Sequence, residues 1–131
     1  MKITPKQIKE YAYLSIPAII TIASKALYIN VSARKILNLD KDDHIELDLE
    51  DGRFYIKISP NKTDESFKIG ISGKNQLLCF TPGLLGFLTR EKIIPKAEKS
   101  KFELGLFKNG RYELKFITPK IKNNESNKDL L

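Results

Sequence analysis

The chain has 131 residues, with 23 Lys and Arg against 16 Asp and Glu, one His, one Cys and no Trp. This length fits one domain, and 41% hydrophobic with 30% charged residues is typical of a globular chain rather than a disordered one. A single Cys and a single His exclude a disulfide framework and metal sites built from several such residues, so we expect no metal and no cofactor. The N-terminus does not resemble a signal peptide and no apolar run reaches membrane-spanning length, so the sequence predicts a cytoplasmic protein without a membrane partner.

The net charge of +7 is unevenly distributed along the chain. Residues 36–52 carry seven acidic side chains and one Lys, a local charge of −6, so the remainder of the chain carries +13. A basic excess favours a polyanionic partner, because contacts to phosphates release counterions. Since 19 of the 23 basic residues are Lys and Arg is the usual reader of base edges, a purely solubilising role of the charge stays open.

The first half of the chain predicts two helices and four strands. Thr4, Pro5 and Gln7 have the spacing of a capped helix N-terminus, and Pro17 ends that helix. Alternating or β-branched apolar residues predict the strands, and Asp-Gly predicts a tight hairpin turn. The predicted elements are a helix over 4–15, strands over 19–22 and 26–29, a helix over 31–37 capped by Asn30, and strands over 44–50 and 53–59 around Asp51-Gly52.

The second half repeats this order after a polar loop over 60–66. Its predicted elements are strands over 67–71 and 76–80, a short helix with Thr81 as the N-cap and Pro82 in the first position, a basic connector over 90–101, and strands over 102–107 and 111–117 around Asn109-Gly110. The segments 50–58 and 108–116 match residue by residue in character, which indicates an internal repeat. Two unrelated pairs of hairpins are the alternative.

The sequence therefore predicts a mainly β (α+β) fold. Two ββαββ units, residues 18–59 and 67–118, share one pseudo-twofold, barrel-like core, because a unit of this size buries too little surface alone. An N-terminal helix over 1–17 precedes them, and a polar tail over 119–131 follows. Most of the seven Phe residues lie in predicted strands or at their ends, where we expect core positions.

The segment from Ala26 to Leu47 resembles the AbrB/MazE/SpoVT type of swapped-hairpin DNA-binding domain. The resemblance depends on Ile29, Arg34, Lys35, Leu37, Leu39, Asp43 and the strand over 45–47. A chain with two such units is similar to the MraZ branch of that family. The resemblance implies a transcriptional regulator that lays a basic, β-rich surface along duplex DNA. The second unit departs from the pattern, since Leu85-Gly86 replaces the basic pair.

Six basic residues are candidate DNA contacts: Lys25, Arg34, Lys35, Lys74, Arg90 and Lys92. Lys25 and Lys74 lie in equivalent turns before the second strand of each unit, and Arg90 and Lys92 begin the basic connector. Helical spacing places Arg34 and Lys35 on the side opposite an apolar trio that we expect to pack: Ala33, Ile36 and Leu37. Arg34 is the residue expected to reach a base edge. The alternative is a solvated helix face that pairs with the acidic run.

Other constellations point away from catalysis. The acidic run over 40–51 lacks the glycine and distal Glu of a calcium loop and alternates with apolar residues, so we expect a solvated strand face. We interpret His44 as a solvent-exposed residue at the start of a strand, and Cys79 as a small, buried apolar residue. The sequence predicts no enzyme.

The alternative function is a non-enzymatic interaction or structural module, for example of a phage or mobile element, with a protein partner and no DNA. Pairing of the units within one chain or in a homodimer stays open.

Overall fold

The computed structural model describes residues 1–12, 16–73 and 76–119. Its three helices are short: α1 (Pro5–Ala12), α2 (Val31–Leu37) and α3 (Leu84–Arg90). Its nine strands are β1 (Ile19–Ile22), β2 (Ala26–Ile29), β3 (His44–Glu50), β4 (Arg53–Ser59), β5 (Phe67–Lys68), β6 (Gly70–Ile71), β7 (Leu77–Phe80), β8 (Ser100–Lys108) and β9 (Arg111–Phe116). The fold is mainly β, as the sequence predicts.

All nine strands form one antiparallel sheet in the order β5-β3-β4-β9-β8-β1-β2-β7-β6. The strands at the two ends of this order, β5 and β6, are separated only by Ile69, so the sheet curls into a nearly closed, barrel-like structure. Ile69 is fully buried, and its backbone bonds to Asp42 and Asp43 before β3. The predicted single strand over 67–71 is therefore two strands, because the chain changes partner from β3 to β7 at this residue.

Four strand pairings join the first half of the chain to the second. When β5 and β6 are counted together as the first strand of the second half, the first strand of each half pairs with the third strand of the other half. These pairings are β1 with β8 and β5 with β3. The remaining two pairings join β2 to β7 and β4 to β9. Each half thus completes the sheet of the other, and one hydrophobic core lies inside. Phe102 of β8 is fully buried in this core, with its ring 5.4 Å from that of Phe54 and 5.7 Å from that of Phe116.

Local capping signals confirm several sequence predictions. The Thr4 amide donates to the Gln7 side chain at 2.9 Å and the Gln7 amide donates to the Thr4 hydroxyl at 3.3 Å, a capping box at the start of α1. The Asn30 side chain accepts from the amide of Ala33 at 2.9 Å, caps α2, and also accepts from the amide of Ile19 at 3.1 Å. Asn30 therefore ties the start of α2 to the start of β1.

The start of α3 differs from the prediction. The helix begins at Leu84, and its N-cap is Gly83 at φ 87°, a conformation that suits glycine. Thr81 caps nothing; its hydroxyl is buried without a hydrogen-bond partner among the described residues. Pro82 lies before the helix, because the positive φ of Gly83 turns the chain only after it.

Two predictions about burial are confirmed only in part. Ala33 and Leu37 of α2 are buried as predicted, but Ile36 is 52% exposed, because Ser32 completes the buried side of the helix instead. Phe54 and Phe102 are buried and Phe67 and Phe116 pack against the core, whereas Phe80 and Phe107 are exposed at 73% and 60%. The predicted tail, apart from its first residue, lies outside the described residues.

Candidate nucleic-acid interface

Lys25 lies where the sequence predicts it, in the tight turn between β1 and β2. The turn is closed by a 2.9 Å hydrogen bond from the amide of Ala23 to the carbonyl of Ala26. The carbonyl of Lys25 accepts from the amide of Thr81 at 3.0 Å, which fastens the turn to the end of β7. The backbone of Lys25 is thus held on two sides while its side chain is exposed to solvent.

Arg34 makes contacts within its own loop region. Its Nη2 lies 3.0 Å from Oδ1 of Asp40, and its Nε donates to the carbonyl of Leu39 at 3.3 Å. The guanidinium therefore stabilises the turn that follows α2, where Asn38 takes the left-handed conformation. The side chain is one-third exposed, and the neighbouring Lys35 is exposed.

Arg90 and Lys92 lie at the end of α3. The Arg90 guanidinium stands 5.2 Å from the ring centroid of Phe87, and its Nε lies 3.5 Å from Oε2 of Glu91. Lys92 is exposed and has a positive φ of 61°. Lys74 lies outside the described residues. The contacts described for Lys25, Arg34 and Arg90 lead to different neighbours, so these contacts do not gather the predicted cations into one site.

A basic groove that the sequence did not single out lies on the outer face of the sheet. Lys101 of β8 lies opposite Thr21 of β1, which lies opposite Tyr28 of β2. The three side chains form a row across adjacent strands. The groove encloses about 520 Å³ and is lined by this row with Ala23, Gln76 and Lys99. We call it the lysine groove.

The lysine groove carries positive charge that the described carboxylates do not neutralise. None of the ion pairs formed by the described residues includes Lys99 or Lys101. Lys25 stands two residues beyond Ala23, which lines the groove, so the same turn adds a further cation near its border. The half-buried Tyr28 supplies a ring and the Gln76 amide supplies a hydrogen-bonding group. The surface combines ammonium groups, an aromatic ring and polar groups.

One local signal could have placed Lys101 in such a site. Neighbouring residues of a strand point to opposite faces of the sheet. Since the apolar Phe102 is expected to face the core, Lys101 faces outward if the strand begins earlier than predicted. The strand does begin earlier, at Ser100, because β1 pairs with it through Ile22. That pairing joins residues far apart in sequence, and local patterns do not reveal it.

The acidic run is largely engaged by basic residues from elsewhere in the chain. Arg111 of β9 lies 2.7 Å from Oδ2 of Asp48, bonds Glu50, and stacks 3.7 Å from the ring centroid of Tyr55. Lys68 lies 3.5 Å from Asp42. The acidic face of β3 is therefore a contact surface between the two halves as well as a solvated one.

Groups that could serve chemistry are few among the residues described. Burial raises the pKa of the Cys79 thiol to about 12, so this side chain stays neutral near pH 7. His44 Nδ1 lies 3.2 Å from the hydroxyl of Ser66. Within the described ranges, no group of three or more His, Cys, Asp or Glu residues could hold a metal ion.

Comparison with models of known protein families, with curated proteins and with solved structures finds no match to this chain. No helix in the described part of the chain has both the length and the apolar character needed to cross a bilayer.

Proposed function

We propose that this protein is a DNA-binding transcriptional regulator of the AbrB-like type, in which one chain holds two swapped-hairpin units. The observation that carries the proposal is the lysine groove, where Lys99 and Lys101 line the same groove as Tyr28 and have no described carboxylate partner. A groove of unpaired cations attracts a polyanion, and the excess of positive charge outside the acidic run acts in the same direction.

The strand pairings support the two-unit part of the proposal. Exchanging the halves leaves the pattern of pairings unchanged: β1 with β8 corresponds to β5 with β3, and the β2–β7 and β4–β9 pairings correspond to themselves. Arg53 and Arg111 follow the Asp-Gly and Asn-Gly turns and each contacts the other half of the chain, at Glu113 and at Tyr55. We infer that the units pair within one chain, so that no partner chain is needed to complete the core.

In the proposed complex, lysine side chains bind phosphates and the ring of Tyr28 packs on the backbone or a base. Lys99 and Lys101 supply the first contacts, because they line the groove. Lys25 is the next contact, because it lies in the turn that contributes Ala23 to the lining. Lys35, Lys74, Arg90 and Lys92, which the sequence also predicts as contacts, are proposed as additional phosphate contacts. Arg34 reads a base edge only by giving up Asp40, so its contribution to specificity costs an ion pair.

Fluorescence anisotropy with labelled duplex DNA at several salt concentrations tests this proposal. We expect binding that weakens as salt rises. The double variant Lys99→Gln with Lys101→Gln removes two phosphate contacts, so the slope of log K against log salt decreases by about 1.8. The matched control is Lys57→Gln with Lys62→Gln, two exposed lysines outside the groove, which leaves the slope unchanged.

Three results contradict the proposal: no binding at low salt, binding that is insensitive to salt, or equal effects of the two double variants. Light scattering tests the intrachain pairing separately. We expect a solution mass of 15.0 kDa, that of one chain, and a stable mass of twice that value contradicts pairing within the chain.

A further inference from the structure

The β8–β9 hairpin displays an apolar side chain where the other long hairpin displays a charge. In β3–β4 the register is regular from His44 to Glu50, and Asp48 faces outward. In β8–β9 a β-bulge between Leu104 and Phe107 adds one residue to β8. Alternation from Phe102 and Leu104 predicts that Leu106 points inward, but the extra residue directs it outward.

Leu106 is consequently 84% exposed on the outer face of the sheet. Gly105 lies in the bulge, where a Cβ would lie 3.1 Å from the carbonyl oxygen of Glu113, so a larger residue there would require a small shift of the backbone. Bulges re-aim side chains and occur preferentially at functional sites and sheet edges. The regular β3–β4 hairpin demonstrates that a hairpin of this kind closes without one.

Basic side chains outnumber acidic ones around Leu106. A groove of about 360 Å³ beside it is lined by the basic residues Arg53, Lys108, Arg111 and Lys115 and by one acidic residue, Glu113. Arg111 is engaged by Asp48 and Glu50, and Arg53 lies 3.6 Å from Glu113. The ion pairs of the described residues include neither Lys108 nor Lys115. We call Arg53, Leu106, Lys108 and Lys115 the hairpin surface.

We propose that the hairpin surface binds an acidic segment of a partner protein, in which an apolar side chain packs on Leu106 and flanking carboxylates pair with Lys108 and Lys115. The charges favour this occupant over the same surface of a second copy, which would bring like charges together. The exposed leucine favours it over DNA, because phosphates would have to cover an apolar side chain. The proposal does not depend on DNA binding in the lysine groove.

Nuclear magnetic resonance with the full chain and a synthetic probe peptide, Leu-Phe flanked on both sides by glutamates, tests the proposal. We expect saturable shifts in the amides of β8 and β9 near the bulge, weaker binding at higher salt, and no shifts with a peptide in which lysines replace the glutamates. Leu106→Ser weakens binding about tenfold or more, since the apolar contact is lost. Lys108→Glu with Lys115→Glu abolishes it.

Ile36→Ser is the matched control, because it makes the same kind of change at an exposed apolar residue on α2. We expect it to leave peptide binding unchanged. Since Leu106 is exposed, Leu106→Ser leaves the melting temperature unchanged, so a loss of binding reports the surface and not the fold. Absence of saturable shifts near the bulge, or equal effects of the Leu106 and Ile36 variants, overturns the proposal. It is also overturned if Lys108→Glu with Lys115→Glu weakens duplex DNA binding as strongly as the lysine-groove variant does.

Discussion

Phe102 joins the two halves of the core, and its replacement by Leu tests whether they form one cooperative unit. Its side chain is fully buried on β8, between Ile20 of β1 and Phe116 of β9. The ring meets Phe54 of the first half at 72°, an edge-on contact, and Phe116 at 57°. Leu keeps much of the apolar volume but removes both ring contacts.

Each aromatic contact contributes about 0.5–1.5 kcal/mol beyond its buried area. Phe102→Leu therefore lowers the free energy of unfolding by about 1–3 kcal/mol. Phe102→Ala leaves a cavity as well and costs about 3–5 kcal/mol, which approaches the whole stability of a marginal domain of about 5–15 kcal/mol. The Leu variant is the better probe because it stays folded.

Urea unfolding followed by far-ultraviolet circular dichroism measures the effect, with Phe80→Leu as the control. Phe80 is 73% exposed, so its replacement changes stability by about 0.5 kcal/mol or less. We expect one transition with the same m-value in the wild type, in Phe102→Leu and in Phe80→Leu. The reasoning is refuted if the Phe102 variant loses no more stability than the Phe80 variant, or if the halves unfold in two separate transitions.

The further predictions concern three single side chains. Thr81→Val removes a buried hydroxyl that has no described partner, so it raises the free energy of unfolding by about 1 kcal/mol; an unchanged or lower urea midpoint would indicate that the hydroxyl is satisfied. Asn30→Ala removes the α2 cap and the hydrogen bonds to the amide of Ile19 and the carbonyl of Pro17. It therefore lowers the free energy of unfolding by about 1–2 kcal/mol or more in the same assay, whereas Ala in place of an exposed residue that caps no helix does not. The Cys79 thiol, with its pKa raised to about 12, reacts with a disulfide reagent at pH 8 only when urea unfolds the chain; prompt reaction in the native state contradicts its burial. The Cys79 thiol ionises near pH 9 in the unfolded chain and near pH 12 in the folded one, so its ionisation stabilises the unfolded chain between these values. The free energy of unfolding therefore falls as pH rises through this range, and it falls less steeply in a Cys79→Val variant.

Sequence alone determined the elements whose signals are local. The bounds of β1, β2, α2, β3 and β4 agree with the prediction, because alternation, Asn30 as a cap and the positive φ of Asp51 and Gly52 all act within a few residues. The same holds for the capping box of α1 and the turn at Asn109-Gly110. Cys79 is buried as predicted.

Several predictions failed where the outcome depends on residues distant in sequence. The break at Ile69 follows from a change of strand partner, and the early start of β8 follows from its pairing with β1. The exposure of Leu106, for which the sequence analysis makes no prediction, follows from the bulge between Leu104 and Phe107. In each case the local pattern is compatible with two outcomes, and packing across the sheet selects one.

The candidate sites divide in the same way. Charge and composition determined that the chain is basic outside one acidic run, and the local pattern between two predicted strands identified Lys25 as a turn residue. Only the tertiary structure aligned Lys101 with Thr21 and Tyr28 across adjacent strands. It also determined the ion pair of Arg34 with Asp40 and that of Asp48 with Arg111 from the other half. The physical reason is that strand order and register decide which side chains become neighbours, and these are set by burial of one core shared by both halves.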